Sequence, residues 1–116
     1  TMFRFERLEI WKLSILYAKR CYDIANTFPK SEMFALSDQL KRAAVSISNN
    51  IAEGSIGSNT MFKKYVVTAL GSALETVNIL YFAHTVLYID KTVHMGMYNE
   101  AETLIIKISS FSKSLD

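Results

Sequence analysis

Two histidines, one cysteine and eleven carboxylates are the side chains of this 116-residue chain with the widest chemical range. A di-iron centre in a helical bundle needs Glu-x-x-His on each of two helices and one further Glu on each of two others. Here Tyr81 stands three residues before His84 and Lys91 three before His94, so that ligand set is missing. Both histidines read as surface or core-edge residues. With no Cys or His cluster elsewhere, the sequence predicts no metal and no cofactor. Cys21 lies on an apolar helical stripe near Lys19 and Arg20, where it reads as a small buried hydrophobe rather than a nucleophile. No Gly-x-Ser-x-Gly elbow, phosphate-binding Gly-rich loop or dinucleotide fingerprint is present. The expectation is a non-enzymatic protein with no catalytic residue.

The basic residues offer binding instead. They come as the dipeptides Lys19-Arg20, Lys41-Arg42 and Lys63-Lys64. The first two pairs stand at a similar height on neighbouring helices, on the order of 10 Å from the connector that joins them. Lys19, Arg20, Lys41, Lys63 and Lys64 are therefore the candidate nucleic-acid contacts, RNA or DNA, and a ring of subunits would turn them into a belt of positive charge. The plain alternative is a set of solubility residues on a solvated face, which leaves a protein-binding adaptor. Net charge is only +2, but it is uneven: residues 1–64 carry ten Lys or Arg against six Asp or Glu, and residues 65–116 carry three against five.

These side chains need helices to hold them. In Leu36–Gly54, residues Leu36, Leu40, Ala43, Ile47 and Ile51 recur at helical spacing, and Gln39, Arg42, Ser46, Asn50 and Glu53 form a polar stripe about 100° away. A first helix is expected from about Glu6 to Asn26, ended by Phe28-Pro29. A third follows a Ser58 or Asn59 cap and runs to about Tyr88. A fourth starts at an Asp90 or Thr92 cap. Short connectors make successive helices antiparallel, so the fold class is all-α, an antiparallel up-down-up-down four-helix bundle, with residues 1–116 as a single domain.

Helices one and three carry more apolar surface than one core consumes. In the first, Leu8, Trp11, Ile15, Ala18, Tyr22 and Ala25 read as the core face, and Ile10, Leu13, Tyr17, Cys21 and Ile24 as a second. In the third, Phe62, Val66, Ala69, Ala73, Val77, Leu80, Ala83 and Leu87 read as core, and Val67, Leu70, Leu74, Tyr81 and Tyr88 as surplus. The surplus argues for a homo-oligomer. A lone cysteine suggests a reducing, cytoplasmic setting, and the run Val77–Ile89 is too short for a bilayer span, so no membrane partner is expected.

Antiparallel counting places Gly71 and Ser72 near Arg42 and Ala43, and Glu75 near Gln39, each to about one turn. The expected polar seam pairs Arg42 with Glu75, with Ser72 and Gln39 as auxiliaries, and sets Gly71 against Ala43. Asn50 and Glu53 are expected beside the loop that leads into helix three.

The stretch QLKRAAVSISNNIAEG, with Phe28-Pro29 and Glu32 before it and Gly71-Ser72-Ala73-Leu74-Glu75 after it, resembles the signature of the bacterial four-helix bundle proteins. That family is also known as the 23S rRNA intervening-sequence or S23 ribosomal protein family. The resemblance begins at FERLEIW, Phe5–Trp11, and reaches the last helix. It implies the same fold, a homopentamer of four-helix subunits and a nucleic-acid setting, with RNA, DNA or a nucleic-acid-processing protein as the partner. Two departures stand out: Ser48 replaces a frequent proline, and the loop Ser55–Asn59 lacks an arginine that many members carry.

Overall fold

The computed structural model describes residues 2–116. It consists of α1 (Glu9–Ala25), α2 (Leu36–Gly54), α3 (Asn59–Thr85) and α4 (Lys91–Ser114), and measures 43 × 23 × 22 Å. Among the described residues there is no strand. Cross-helix contacts fix the directions. Ser37 at the start of α2 donates to the carbonyl of Ala25 at the end of α1. Late in α2, Gly54 meets Phe62 and Tyr65 from early α3. His84 from late α3 stacks on His94 from early α4, and Glu9 at the start of α1 pairs with Lys107 toward the end of α4. Each helix therefore runs against both of its neighbours, as the short connectors require.

The boundaries follow local chemistry. Ser58 caps α3 by accepting from the Met61 amide at 3.2 Å, and Asp90 caps α4 by accepting from Val93 at 2.8 Å. The chain starts with a 3-10 turn, Arg4–Arg7, separated from α1 by an extended Leu8, where the pattern predicts one helix from Glu6. Phe5 packs on Trp11 with ring centroids 4.9 Å apart, and Arg4 reaches the carbonyl of Ser55 at 3.0 Å. Those contacts fold the first turn over the bundle end instead of letting it extend α1.

Inside, Leu40, Ile47 and Ile51 of α2, Phe62, Val66 and Leu80 of α3, and Leu104 and Ile108 of α4 form one core. In α1 the inward face cuts across the two expected stripes: Ile10, Tyr17 and Cys21 of the second are buried together with Ala18 and Ala25 of the first, whereas Ile15 and Tyr22 are exposed. The reason is packing distance. The buried stripe holds Ser14, Ala18, Cys21 and Ala25, small groups that let α1 approach its neighbours. Leu87 also departs from its expected core place. It adopts φ 66° and is 85% exposed, because the chain leaves α3 at Thr85 and turns there.

The apolar stretch of α3 is longer than Val77–Ile89 suggests. The helix is long and apolar enough, by length and composition alone, to cross a membrane. Its inner face is occupied by the bundle, so the excess sits on one side only.

Candidate functional site

The polar seam between α2 and α3 rests on two serines. Ser46 Oγ and Ser72 Oγ lie 2.8 Å apart, and Asn50 Nδ2 donates to the Ser46 carbonyl at 2.8 Å and to its hydroxyl at 3.1 Å. Small hydroxyls suit this place, since they satisfy each other without holding the helices apart. Gln39 and Glu53 stand exposed on the outer flank of α2.

The expected Arg42–Glu75 pair does not form. Arg42 Nε donates instead to Asp38 one turn earlier, at 2.9 Å, with its side chain 81% exposed. The Ser46–Ser72 contact sets the register and puts Glu75 level with Ala43, not with Gln39. Glu75 lies about 60° further around α3 than Ser72, turned away from α2. Gly71 does not face Ala43 either: it is exposed, and an added Cβ would have no neighbour within 4 Å.

A second polar contact, deeper than the seam, joins opposite corners of the bundle. Tyr17 Oη is 2.8 Å from Thr76 Oγ1, and Thr76 in turn donates to the Ala73 carbonyl at 2.6 Å. Both residues are fully enclosed, so burial holds the Tyr17 phenol well above its ordinary range. Cys21 lies nearby, its thiol pushed up to about 12 chiefly by burial. A thiol so protonated is a poor nucleophile, in keeping with its reading as a small hydrophobe. Sequence reasoning missed Tyr17 and Thr76 as partners. The available signal was a tyrosine on an apolar stripe, which needs a hydroxyl partner once buried.

The basic residues divide into two groups. Lys19 and Arg20 sit in the last turns of α1 and Lys41 in the second turn of α2, at one end. Lys63 and Lys64 lie near the start of α3, about 20 Å further along the axis by helical rise. Lys19 pairs with Asp23 at 3.5 Å and Arg20 with Glu100 at 3.2 Å. Lys41 donates to Asn26 at 2.7 Å and lies over the Tyr22 ring, and Lys63 pairs with Asp116. Burial raises the Glu100 carboxyl against the lowering effect of Arg20. Lys64 is exposed.

The histidines meet where α3 and α4 join. Their rings stack with centroids 4.8 Å apart, Tyr81 and Tyr98 stand edge-on to His94, and His84 Nδ1 is 3.3 Å from the Ile89 carbonyl. His94 is buried and its Nε2 has no partner. Burial first, and His84 second, hold its pKa below the ordinary value. Among the described residues no three His, Cys, Asp or Glu side chains gather.

Four antiparallel helices with a hydroxyl and amide seam and a buried tyrosine–threonine link define an all-α four-helix bundle. The family model of the 23S rRNA-intervening sequence protein matches residues 6–110, and the chain belongs to that family. A crystal structure of a protein of unknown function from the S23 ribosomal protein family of Bacteroides thetaiotaomicron has the same fold, with a TM-score of 0.83 at 24% identity. The match covers 90% of this chain and 98% of that one. None of the curated proteins matches this sequence.

Proposed function

We propose that the chain is a non-catalytic scaffold that assembles as a homo-oligomer, a pentamer by the family resemblance, and presents basic side chains to nucleic acid. The observation that carries the assembly is the outer face of α3, where Val67, Leu74 and Tyr81 are 54%, 58% and 60% exposed. An aligned strip of this kind is more than the scattered apolar residues of an ordinary monomer surface. Nucleic-acid contact is supported by the family's rRNA setting and by the chemistry of the lysines. The ion pairs of Lys19 and Lys63 are solvent-exposed; such pairs contribute little and exchange readily for phosphate oxygens.

A protein-binding adaptor without nucleic-acid contact is the second reading, favoured by one observation. Lys19, Arg20, Lys41 and Lys63 all have partners within the chain. A gel-shift titration with single-stranded and duplex RNA at two salt concentrations separates the two. The scaffold reading expects binding that weakens steeply with salt and disappears on charge reversal at Arg20, Lys63 and Lys64 with assembly intact. Absence of binding at low salt leaves the adaptor.

A further inference from the structure

The outer face of α3 has a repeat of its own. Val67, Leu74 and Tyr81 are spaced by seven, with Gly71, Asn78 and Thr85 interleaved four residues after each. An alternation of four and three is the seam of a helix that packs lengthwise against another helix. The inner face already serves the bundle through Phe62, Val66, Ala69 and Ala73, so α3 carries two seams and its own chain covers one. Gly71 sits at the middle of the uncovered seam with open space at its Cβ position. A mid-helix glycine weakens a helix, and nothing within the chain compensates here; beside a second helix it permits close approach.

The matching surface is on the same molecule. On α1, Ile15 and Tyr22 are also spaced by seven, interleaved with Lys12, Lys19 and, just past the helix, Asn26. Ile15 is 43% and Tyr22 39% exposed. Both seams thus place an aliphatic residue one heptad before a tyrosine. Their charges are complementary, since the α1 seam carries Lys12 and Lys19 and the α3 seam is flanked by the exposed Glu75. Lys19 is held only by Asp23 one turn away, both largely in solvent, so it is free to change partner. The neighbouring pairs in the bundle are α1–α2, α2–α3, α3–α4 and α4–α1. Helices α1 and α3 therefore occupy opposite corners, and their outward seams face opposite sides of the molecule.

We propose that the outward seam of α1 on one copy docks in parallel along the outward seam of α3 on the next, aligning Ile15 with Leu74 and Tyr22 with Tyr81. This inference rests on the homo-oligomer reading above and specifies its interface. Two different surfaces meet, so the contact is heterologous, and repetition closes a ring when the rotation allows it. Because α1 and α3 run in the same direction within one copy, a ring of upright bundles makes the contact parallel.

Disulfide trapping tests the pairing. Ile15→Cys and Leu74→Cys proteins, prepared separately, mixed and oxidised, are expected to give a cross-linked dimer that neither gives alone. Within one chain the two positions face opposite ways, beyond the reach of a disulfide. Tyr22→Cys mixed with Tyr81→Cys is expected to cross-link, whereas Ile15→Cys mixed with Tyr81→Cys is not; the reverse result overturns the parallel register. Sedimentation of the unsubstituted chain is run alongside. An oligomer without the Ile15–Leu74 cross-link sinks this interface and leaves the assembly reading standing. A monomer sinks both, and a monomer that floats with phosphatidylcholine vesicles identifies lipid as what covers α3. As a second readout, Gly71→Leu is expected to keep the helical circular dichroism spectrum and to weaken assembly at least tenfold. Unchanged assembly overturns the docking.

Discussion

Helices α2 and α3 lie side by side and contribute inner faces of the same kind, yet their outer faces differ. On α2 the outward residues are Gln39, Arg42, Asn49 and Glu53, with Arg42 satisfied by Asp38 of its own helix. On α3 they are Val67, Gly71, Leu74 and Tyr81; Val67 and Leu74 are more than half exposed, and Tyr81, also largely exposed, meets His94 edge-on. One helix meets water with polar groups and the other with apolar ones. Inner faces decide the fold, and under the proposed assembly the surplus on an outer face is what a second copy covers.

The sharpest break of that comparison sets the two faces of α3 against each other. Phe62 is fully buried and packs on the ring of Phe111 at 5.3 Å. Phe62→Ala is expected to lower unfolding stability by about 3–5 kcal/mol, the cost of lost burial plus a residual cavity. Leu74→Ala on the outer face should shift the stability of the isolated subunit by within about 0.5 kcal/mol while reducing assembly. Urea denaturation below the assembly concentration gives the first quantity and light scattering the second. Equal losses of subunit stability would erase the distinction between the faces.

Next in size is the link across the bundle corners. Tyr17→Phe removes a buried hydroxyl and leaves Thr76 bonded to Ala73. A loss of about 1 kcal/mol is expected, and a double-mutant cycle with Thr76→Val should give a coupling of similar size. The corresponding test on α2 is the Arg42→Ala and Glu75→Ala cycle, for which the expected coupling is near zero because each side chain points elsewhere. A measurable coupling there would restore the expected seam.

The pairs explain what the sequence made legible. Helix α2 ends where its periodicity and Gly54 say it ends, and the caps Ser58 and Asp90 were readable as short polar groups before apolar runs. Contacts between helices were harder. Axial counting put Glu75 within one turn of its true level, yet a charge pair also depends on the angle around each helix, and Arg42 had a local alternative in Asp38. On α1 two apolar stripes were visible, and periodicity does not say that the inward face falls between them. Ser14, Ala18, Cys21 and Ala25 settle it, because only small side chains allow that close packing. The Ser46–Ser72–Asn50 network was half legible, as polar residues on facing stripes, without its hydrogen-bond order. Of the basic pairs, the similar height of Lys19-Arg20 and Lys41 was readable, but their in-chain partners Asp23, Glu100 and Asn26 were not.

The connector between α3 and α4 sharpens the comparison on backbone grounds. Leu87 is a bulky residue at positive φ, and its side chain is largely in solvent. A left-handed conformation costs a residue with a Cβ on the order of 1 kcal/mol. Leu87→Gly is therefore expected to raise stability by somewhat less than that, after glycine's extra unfolded-state entropy. Thermal unfolding checks the sign. A loss on substitution would mean that the leucine side chain makes a contact the exposed position does not show, as it would if another copy covered this end.

At neutral pH the last contrast is silent, and it emerges only on acidification. His94 is buried between α3 and α4, facing His84 and Tyr81 from one helix and Tyr98 from its own, with Tyr17 of α1 lining the same small space. The folded-state pKa of His94 is depressed, so between that value and the unfolded value near about 6.5 the unfolded chain binds more protons than the folded one. Stability is then fully present above the unfolded value and falls as pH drops through it. Melting temperature is expected to be flat from pH 8 to about 7 and to decline toward pH 5, and His94→Phe should flatten that decline. A variant with the native acid slope would place the titrating group elsewhere. Glu100 cannot produce the same curve, because a carboxyl whose pKa is raised by burial destabilises the fold as pH rises, not as it falls.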